Sequence, residues 1–198
     1  GVKPEDIMIN YTPFGQSDWQ TIVSDIKAFG SAGKKTAVVS TINGDANVPF
    51  YKELANQKVS AEDIPVVAFS VGEEELSGLD AKPLVGHLAA WNYFQSVSSP
   101  ANKEFISKWK AYIKKPNRTT NDPMEAHYIG FKMWTQAVSQ AGSTTVDAVR
   151  QAMYGQKVKS LSGYEVEMFS NHHLSKPVMI GEIKADGQFD VVWQTKGP

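Results

Sequence analysis

Apolar residues recur along the chain at helical and strand periods in alternation. Trp19, Ile22, Val23, Ile26 and Phe29 follow the i, i+3, i+4, i+7 spacing of one buried helical face. Ser17 or Asp18 can cap that helix and Gly30 can end it. Residues 36–40 (Thr-Ala-Val-Val-Ser) form a short β-branched run with a polar stretch, Thr41 to Asp45, directly after it. A run that short suits a strand covered on both faces. Pro49 opens a second helical pattern with Phe50, Tyr51 and Leu54 on its apolar face. Residues 64–70 then repeat the apolar run and polar turn. Two successive strand–loop–helix units predict a doubly wound α/β sheet, mostly parallel.

The second half reads as helices followed by a ribbon. Residues 84–94 read as a strand with an aromatic exit, and Ser99-Pro100 as a cap with proline in the first turn. The helix that follows has Phe105, Ile106, Trp109 and Tyr112 on one side. Lys103, Lys108 and Lys110 are among its solvated positions. Asp122-Pro123-Met124-Glu125 is a start signal with Asp122 as cap. Behind it, Met124, Tyr128, Phe131, Trp134 (or Met133), Val138 and Ala141 form a stripe that stops at Gly142. A shorter helix over about 145–154 turns Val146, Val149 and Met153 inward. Residues 158–168 alternate loosely. Residues 178–183 and 189–193 are strand-like, with Asp186-Gly187 between them as a hairpin turn, so the chain ends in an antiparallel ribbon.

Composition narrows the classes. The 198 residues fit one ordinary domain or two small ones. Twenty basic residues against 21 acidic ones leave no excess to attract nucleic acid or an anionic membrane surface. With Cys at zero there is no disulfide, thiolate metal site or cysteine nucleophile, and the redox compartment stays open. No stretch approaches the ~20 apolar residues of a membrane-spanning helix. The N-terminal Gly-Val-Lys-Pro-Glu-Asp has no apolar core of a signal peptide and no initiator Met, which suggests a processed chain or one cut from something longer.

Candidate chemistry is sparse. His172 and His173 are adjacent, a spacing that rarely lets two histidines share one ion, and no third ligand stands at a standard spacing. No metal and no cofactor is expected. G-x-S-x-G and the Gly-rich phosphate loops are absent, so no catalytic residue is assigned. Glu73-Glu74-Glu75 by itself reads as a solvated helix start. Its position, like that of residues 41–45, is the carboxyl end of a parallel strand, where open α/β sheets bind ligands. Trp109, Tyr128 and Trp134 are expected in the core. Trp91 and Tyr93, at a strand exit, are left open between core and cleft.

Four strings then carry a resemblance: residues 36–54, residues 66–76, Asn121-Asp-Pro-Met-Glu-Ala, and Asn171-His-His-Leu-Ser-Lys-Pro-Val. With the closing residues 181–193, they resemble the urea-binding (short-chain-amide) branch of the periplasmic binding proteins that serve ABC importers, within the type I, Leu/Ile/Val-binding class. The resemblance implies a two-lobed clamp with three crossovers, of which this chain matches the latter part. Residues 1–94 would be the second lobe, and 95–156 helices of the first. Residues 157–198 would cross back and form the ribbon. It places ligand loops at Thr41, Asn43, Gly44 and Asp45 and at Ser70, Val71, Gly72 and Glu73, with Tyr93 at a hinge beside the cleft. Asp45 and Glu73 would accept from solute NH₂ groups, and Asn43, Ser70 or backbone N–H groups would donate to its carbonyl.

The implied partners are urea or a short-chain amide, a membrane permease, and either the missing front lobe or a second copy over the helices at 105–112 and 124–141. The implied location is the periplasm. The rival expectations are an amide-sensing receptor domain of the same fold, an amide hydrolase, and a degradation fragment with no ligand function.

Overall fold

The computed structural model describes residues 2–197. The chain divides into two compact units. Unit 1 comprises the residues up to Ala90 together with Glu182–Asp190, and unit 2 comprises Trp91–Gly181 with the residues from Val191 on.

Unit 1 alternates helices and strands: α1 (Gln20–Gly30), β1 (Val38–Ser40), α2 (Asn47–Asn56), β2 (Val66–Ala68), α3 (Glu73–Leu76) and the start of β3 (Leu88–Trp91). β1 pairs parallel with β2, and β2 with β3, in the registers Ser40↔Ala68 and Ala68↔Ala89. The mostly parallel α/β sheet expected from the two strand–loop–helix units is therefore present. The beginnings or ends of two later strands, β6 (Met179–Ile183) and β7 (Phe189–Gln194), extend it in the order β1-β2-β3-β6-β7. Gly187, at φ +74°, makes the expected turn between them, and Lys184 N–H donates to Gln188 O at 2.9 Å.

Trp19, Val23, Phe50, Tyr51, Leu54, Val66 and Leu84 fill the core, with the Trp19 and Phe50 rings edge to face at 5.0 Å. A Cβ at Gly30 would stand 2.3 Å from Ile64 Cδ1, so only glycine lets the end of α1 come this close without displacing that side chain.

Local chemistry shortens the expected strands. Residues 84–94 divide, because Lys82–Leu84 is a 3-10 turn and Gly86, at φ +92°, breaks the extended run before β3. α2 starts two residues ahead of Pro49. The proline then occupies the first turn, where its missing N–H costs no helical bond.

Unit 2 contains α4 (Pro100–Ile113), α5 (Asp122–Ala141), α6 (Val146–Met153) and the hairpin β4 (Lys157–Lys159) with β5 (Glu165–Glu167). Ser99 caps α4 as expected, its Oγ accepting from Asn102 N–H at 3.0 Å. The cap of α5 is Asn121 and not Asp122: Asn121 Oδ1 accepts from Met124 N–H at 3.1 Å, which leaves the Asp122 carboxylate free to turn inward.

The buried face of α5 also differs from the expected stripe. It carries Asp122, Glu125, Ile129, Met133 and Ala137. Ile129 and Met133 pack on Val158 and Val166 of the hairpin, and Ala137 on Val149 and Ala152 of α6. Tyr128, Phe131 and Trp134 are 37%, 63% and 43% exposed, so Tyr128 and Trp134 are not core residues. The reason is that charged residues take core positions while aromatics stay outside, an inversion that hydrophobicity counting misreads. Val146, expected inward, is likewise exposed.

The inward carboxylates form a cluster. Glu125 Oε2 accepts from Lys176 Nζ at 2.6 Å, and its Oε1 accepts from Leu161 N–H at 3.2 Å. Asp122 accepts from Asn92 N–H at 3.0 Å. Burial pushes both carboxyls above their usual range, with Lys176 pulling the other way. The folded state therefore holds these protons more tightly than the unfolded chain does. Their linkage makes stability highest below the ordinary carboxylate range and lowers it as pH rises through the folded values. The guanidinium chloride midpoint should increase as pH falls from 7 towards about 5, and Asp122→Asn should flatten that slope. An unchanged slope in the variant would remove Asp122 as its source.

Candidate functional site

Parallel pairing of β1 and β2 puts the segments after Ser40 and after Ala68 at the same end of the sheet. Thr41, Asn43, Gly44 and Asp45 of the first segment are exposed. Of the second, Ser70 is half-buried, while Val71, Gly72 and Glu73 are buried. The structure brings these eight expected residues together in unit 1. Ser70 Oγ donates to Asn43 Oδ1 at 2.8 Å, linking the two loops directly.

A residue outside the expected set makes the stronger link. Asn47, fully buried in the first turn of α2, directs Nδ2 to Ile42 O at 2.9 Å, Gly44 O at 3.2 Å and Ser70 O at 3.4 Å. One carboxamide thus holds both loops, and the direction of the amide is fixed because its oxygen would repel three carbonyls. The sequence signal was an Asn two positions after Asp45 at a helix start. Counting Pro49 as the first helical residue hides it.

The electrostatics of these loops are one-sided. Residues 41–47 and 70–76 carry Asp45, Glu73, Glu74 and Glu75 and no Lys, Arg or His. Glu75 accepts from Gly72 N–H at 2.8 Å, fixing the start of α3. Burial, the largest cause, lifts the Glu75 carboxyl above its usual range, and the charges of Glu74 and Asp45 lift it further. Asp45 therefore lies within electrostatic reach of the second loop.

Tyr93 belongs to unit 2, just past its boundary at Trp91. It is fully buried, with its hydroxyl donating to Asn102 Oδ1 at 2.7 Å and 2.8 Å from Thr120 Oγ1. Asn102 Nδ2 in turn donates to Gln95 O and Val97 O. Its hydroxyl therefore orders the chain that follows it. Trp91 is half-buried.

His172, at φ +65°, sits 3.1 Å from the Tyr154 hydroxyl through Nε2, and His173 Nδ1 lies 2.9 Å from Asn171 O. Among the described residues no group of three His, Asp or Glu is placed to hold a metal ion. No helix of the described residues is long and apolar enough to cross a membrane.

The model of the periplasmic binding protein domain family matches residues 1–198. Among solved structures, a solute-binding protein of an ABC transporter from Rhodopseudomonas palustris HaA2, in complex with p-hydroxybenzoic acid, superposes with a TM-score of 0.79 at 21% identity. The match covers 93% of this chain and 50% of that one. An amino acid ABC transporter substrate-binding protein from Pseudomonas fluorescens Pf-5 gives 0.76 at 19% identity, over 96% and 51% of the two chains. The chain thus spans about half the length of these solved relatives. A protein named limonene hydroxylase from Geobacillus stearothermophilus is 34% identical over 120 residues, 61% of this chain and 22% of that protein.

Replacing Asn47 by Ala should cost ~1–3 kcal/mol of stability, because three carbonyls lose one shared donor. It should also speed amide exchange in residues 41–46 and 70–72 more than in α1. Hydrogen-exchange mass spectrometry of the variant measures this. Loop exchange unchanged from the parent, or raised no more than in α1, would show that Asn47 does not hold them.

Proposed function

The chain belongs to the periplasmic binding protein domain family, and on that footing we propose that it is part of an ABC importer's solute-binding component for urea or a short-chain amide. The loops after β1 and β2 would supply part of the binding surface. The observation that carries the choice of solute is the composition of those loops: residues 41–47 and 70–76 contribute the carboxylates of Asp45, Glu73, Glu74 and Glu75 and no Lys, Arg or His of their own. A benzoate-type ligand brings a carboxylate that needs a positive partner, whereas urea and amides bring N–H groups that need acceptors. Asp45, exposed at the loop, is the acceptor we assign first. Glu73 is buried at the start of α3 and would act from behind it. Asn43 and Ser70 are engaged with each other, Ser70 donating. Backbone N–H groups of residues 43–45 are therefore the better donors to the solute carbonyl.

Transport of this kind implies a membrane permease as partner and a periplasmic location, and both belong to the same proposal. An amide-sensing receptor would use the same loops. The partial likeness to limonene hydroxylase covers too little of that protein to carry its chemistry across, and a binding role without catalysis is part of this proposal.

Calorimetric titration of the encoded full-length polypeptide with urea, acetamide and 4-hydroxybenzoate tests the reading. Amide binding should weaken at least tenfold in Asp45→Ala, a loss of about 1.4 kcal/mol or more, with no gain for the benzoate. Unchanged affinity in both Asp45→Ala and Glu73→Ala, or binding of the benzoate alone, would overturn it.

The exposed aromatics Phe131 and Trp134, stacked with centroids 6.0 Å apart, together with Tyr112 at 86% exposure, call for a covering partner. We assign that role to the front lobe of the longer protein. Light scattering of the 198-residue chain alone at increasing concentration should show association through this face, abolished by Phe131→Lys. A strictly monomeric chain that binds no hydrophobic dye would contradict an uncovered face.

A further inference from the structure

The chain passes between its two units after Ala90, after Gly181 and after Asp190. On the unit 2 side, the first two passages contact one buried charge cluster, and the third is bonded to the segment that follows Lys176. Just after the first, Asn92 N–H donates to Asp122 at 3.0 Å, and the Tyr93 N–H also donates to that carboxylate. Ahead of the second, Lys176 Nζ reaches Glu125 at 2.6 Å, and the next carbonyl, Pro177 O, accepts from Asn92 Nδ2 at 2.7 Å. Past the third, Thr195 N–H donates to Val178 O at 2.9 Å and Thr195 Oγ1 accepts from Val178 N–H at 3.2 Å.

Asp122 and Glu125 occupy the first turn of α5, three residues apart and therefore on one face. Glu125 is fully buried, and the Lys176 side chain is 10% exposed. Removing such charges from water is costly, and apolar side chains of the same volume commonly stabilise a fold as well or better. What the charges add is direction, since each carboxylate accepts from particular N–H groups.

We propose that Asp122, Glu125 and Lys176 are positioning residues that fix where the connections at residues 91–93 and 176–181 enter and leave unit 2, and through them the affinity for solute. The link to affinity rests on the solute-binding reading above, while the link to the connections stands without it.

The double variant Glu125→Met/Lys176→Met, made in the encoded full-length polypeptide, separates positioning from stability. Its thermal midpoint should stay within a few degrees of the parent. Amide exchange in peptides covering residues 91–94 and 177–181 should rise at least tenfold, with α6 unchanged. Calorimetric affinity for whichever amide the parent binds should fall about tenfold. Exchange that is unchanged in those peptides, or raised equally in α6, would overturn the positioning role. Faster local exchange with unchanged affinity would overturn the link to solute. A parent that binds no amide would defeat the solute reading while leaving the exchange result decisive. Should the double variant not fold, Asp122→Asn tests the same point: increased exchange confined to Asn92 and Tyr93 supports positioning, and no change there rejects it.

Discussion

Parallel pairing of Val38–Ser40 with Val66–Ala68 is the constraint on which the candidate site depends. Two parallel neighbours must end at the same edge, so the loops that leave them are forced together whatever their sequences. Antiparallel pairing of the same runs would send the two loops to opposite ends of the sheet. The pairing is helped by β-branched residues and by the packing of Trp19, just ahead of α1, against Phe50 of α2. It brings Asn47 within reach of both loops, and it collects the carboxylates of Asp45 and residues 73–75 at one end of the sheet.

Much of this was legible along the chain because local signals and tertiary demands agree in unit 1. The apolar face of α1, the short runs at β1 and β2, the polar turns after them and the Asp186-Gly187 hairpin all appear where the pattern puts them. That the loops after β1 and β2 share one end follows from that register, since position at a strand end is a topological property; the choice of eight residues within them came from the family resemblance. Tyr93 was legible as a residue near a crossover. Its burial was not, because it depends on Asn102 and Thr120, respectively 9 and 27 residues away in sequence. Asn47 was hidden by a proline two positions on, which usually marks the first helical residue but here is the third.

Unit 2 was harder for a physical reason. On α5 the residues with the lowest exposure include Asp122 and Glu125, while Phe131 and Trp134 lie outside. A periodicity argument ranks positions by hydrophobicity and so picks the opposite face. Buried carboxylates are tolerated because Lys176, Asn92 and Leu161 supply partners from distant parts of the chain. No spacing rule anticipates those partners. The same helix therefore buries two carboxylates in its first turn ahead of Ile129, Met133 and Ala137 and leaves aromatic rings outside.

The central claim is that the loops after β1 and β2 receive an N–H-rich neutral solute. Amide chemical shifts of the ¹⁵N-labelled full-length polypeptide, followed during addition of acetamide and separately of 4-hydroxybenzoate, test it most directly. The account predicts saturable shifts at residues 43–45 and 70–73 with acetamide and none there with the benzoate. Shifts at those residues with the benzoate alone, or acetamide shifts confined to other parts of the chain, would contradict it.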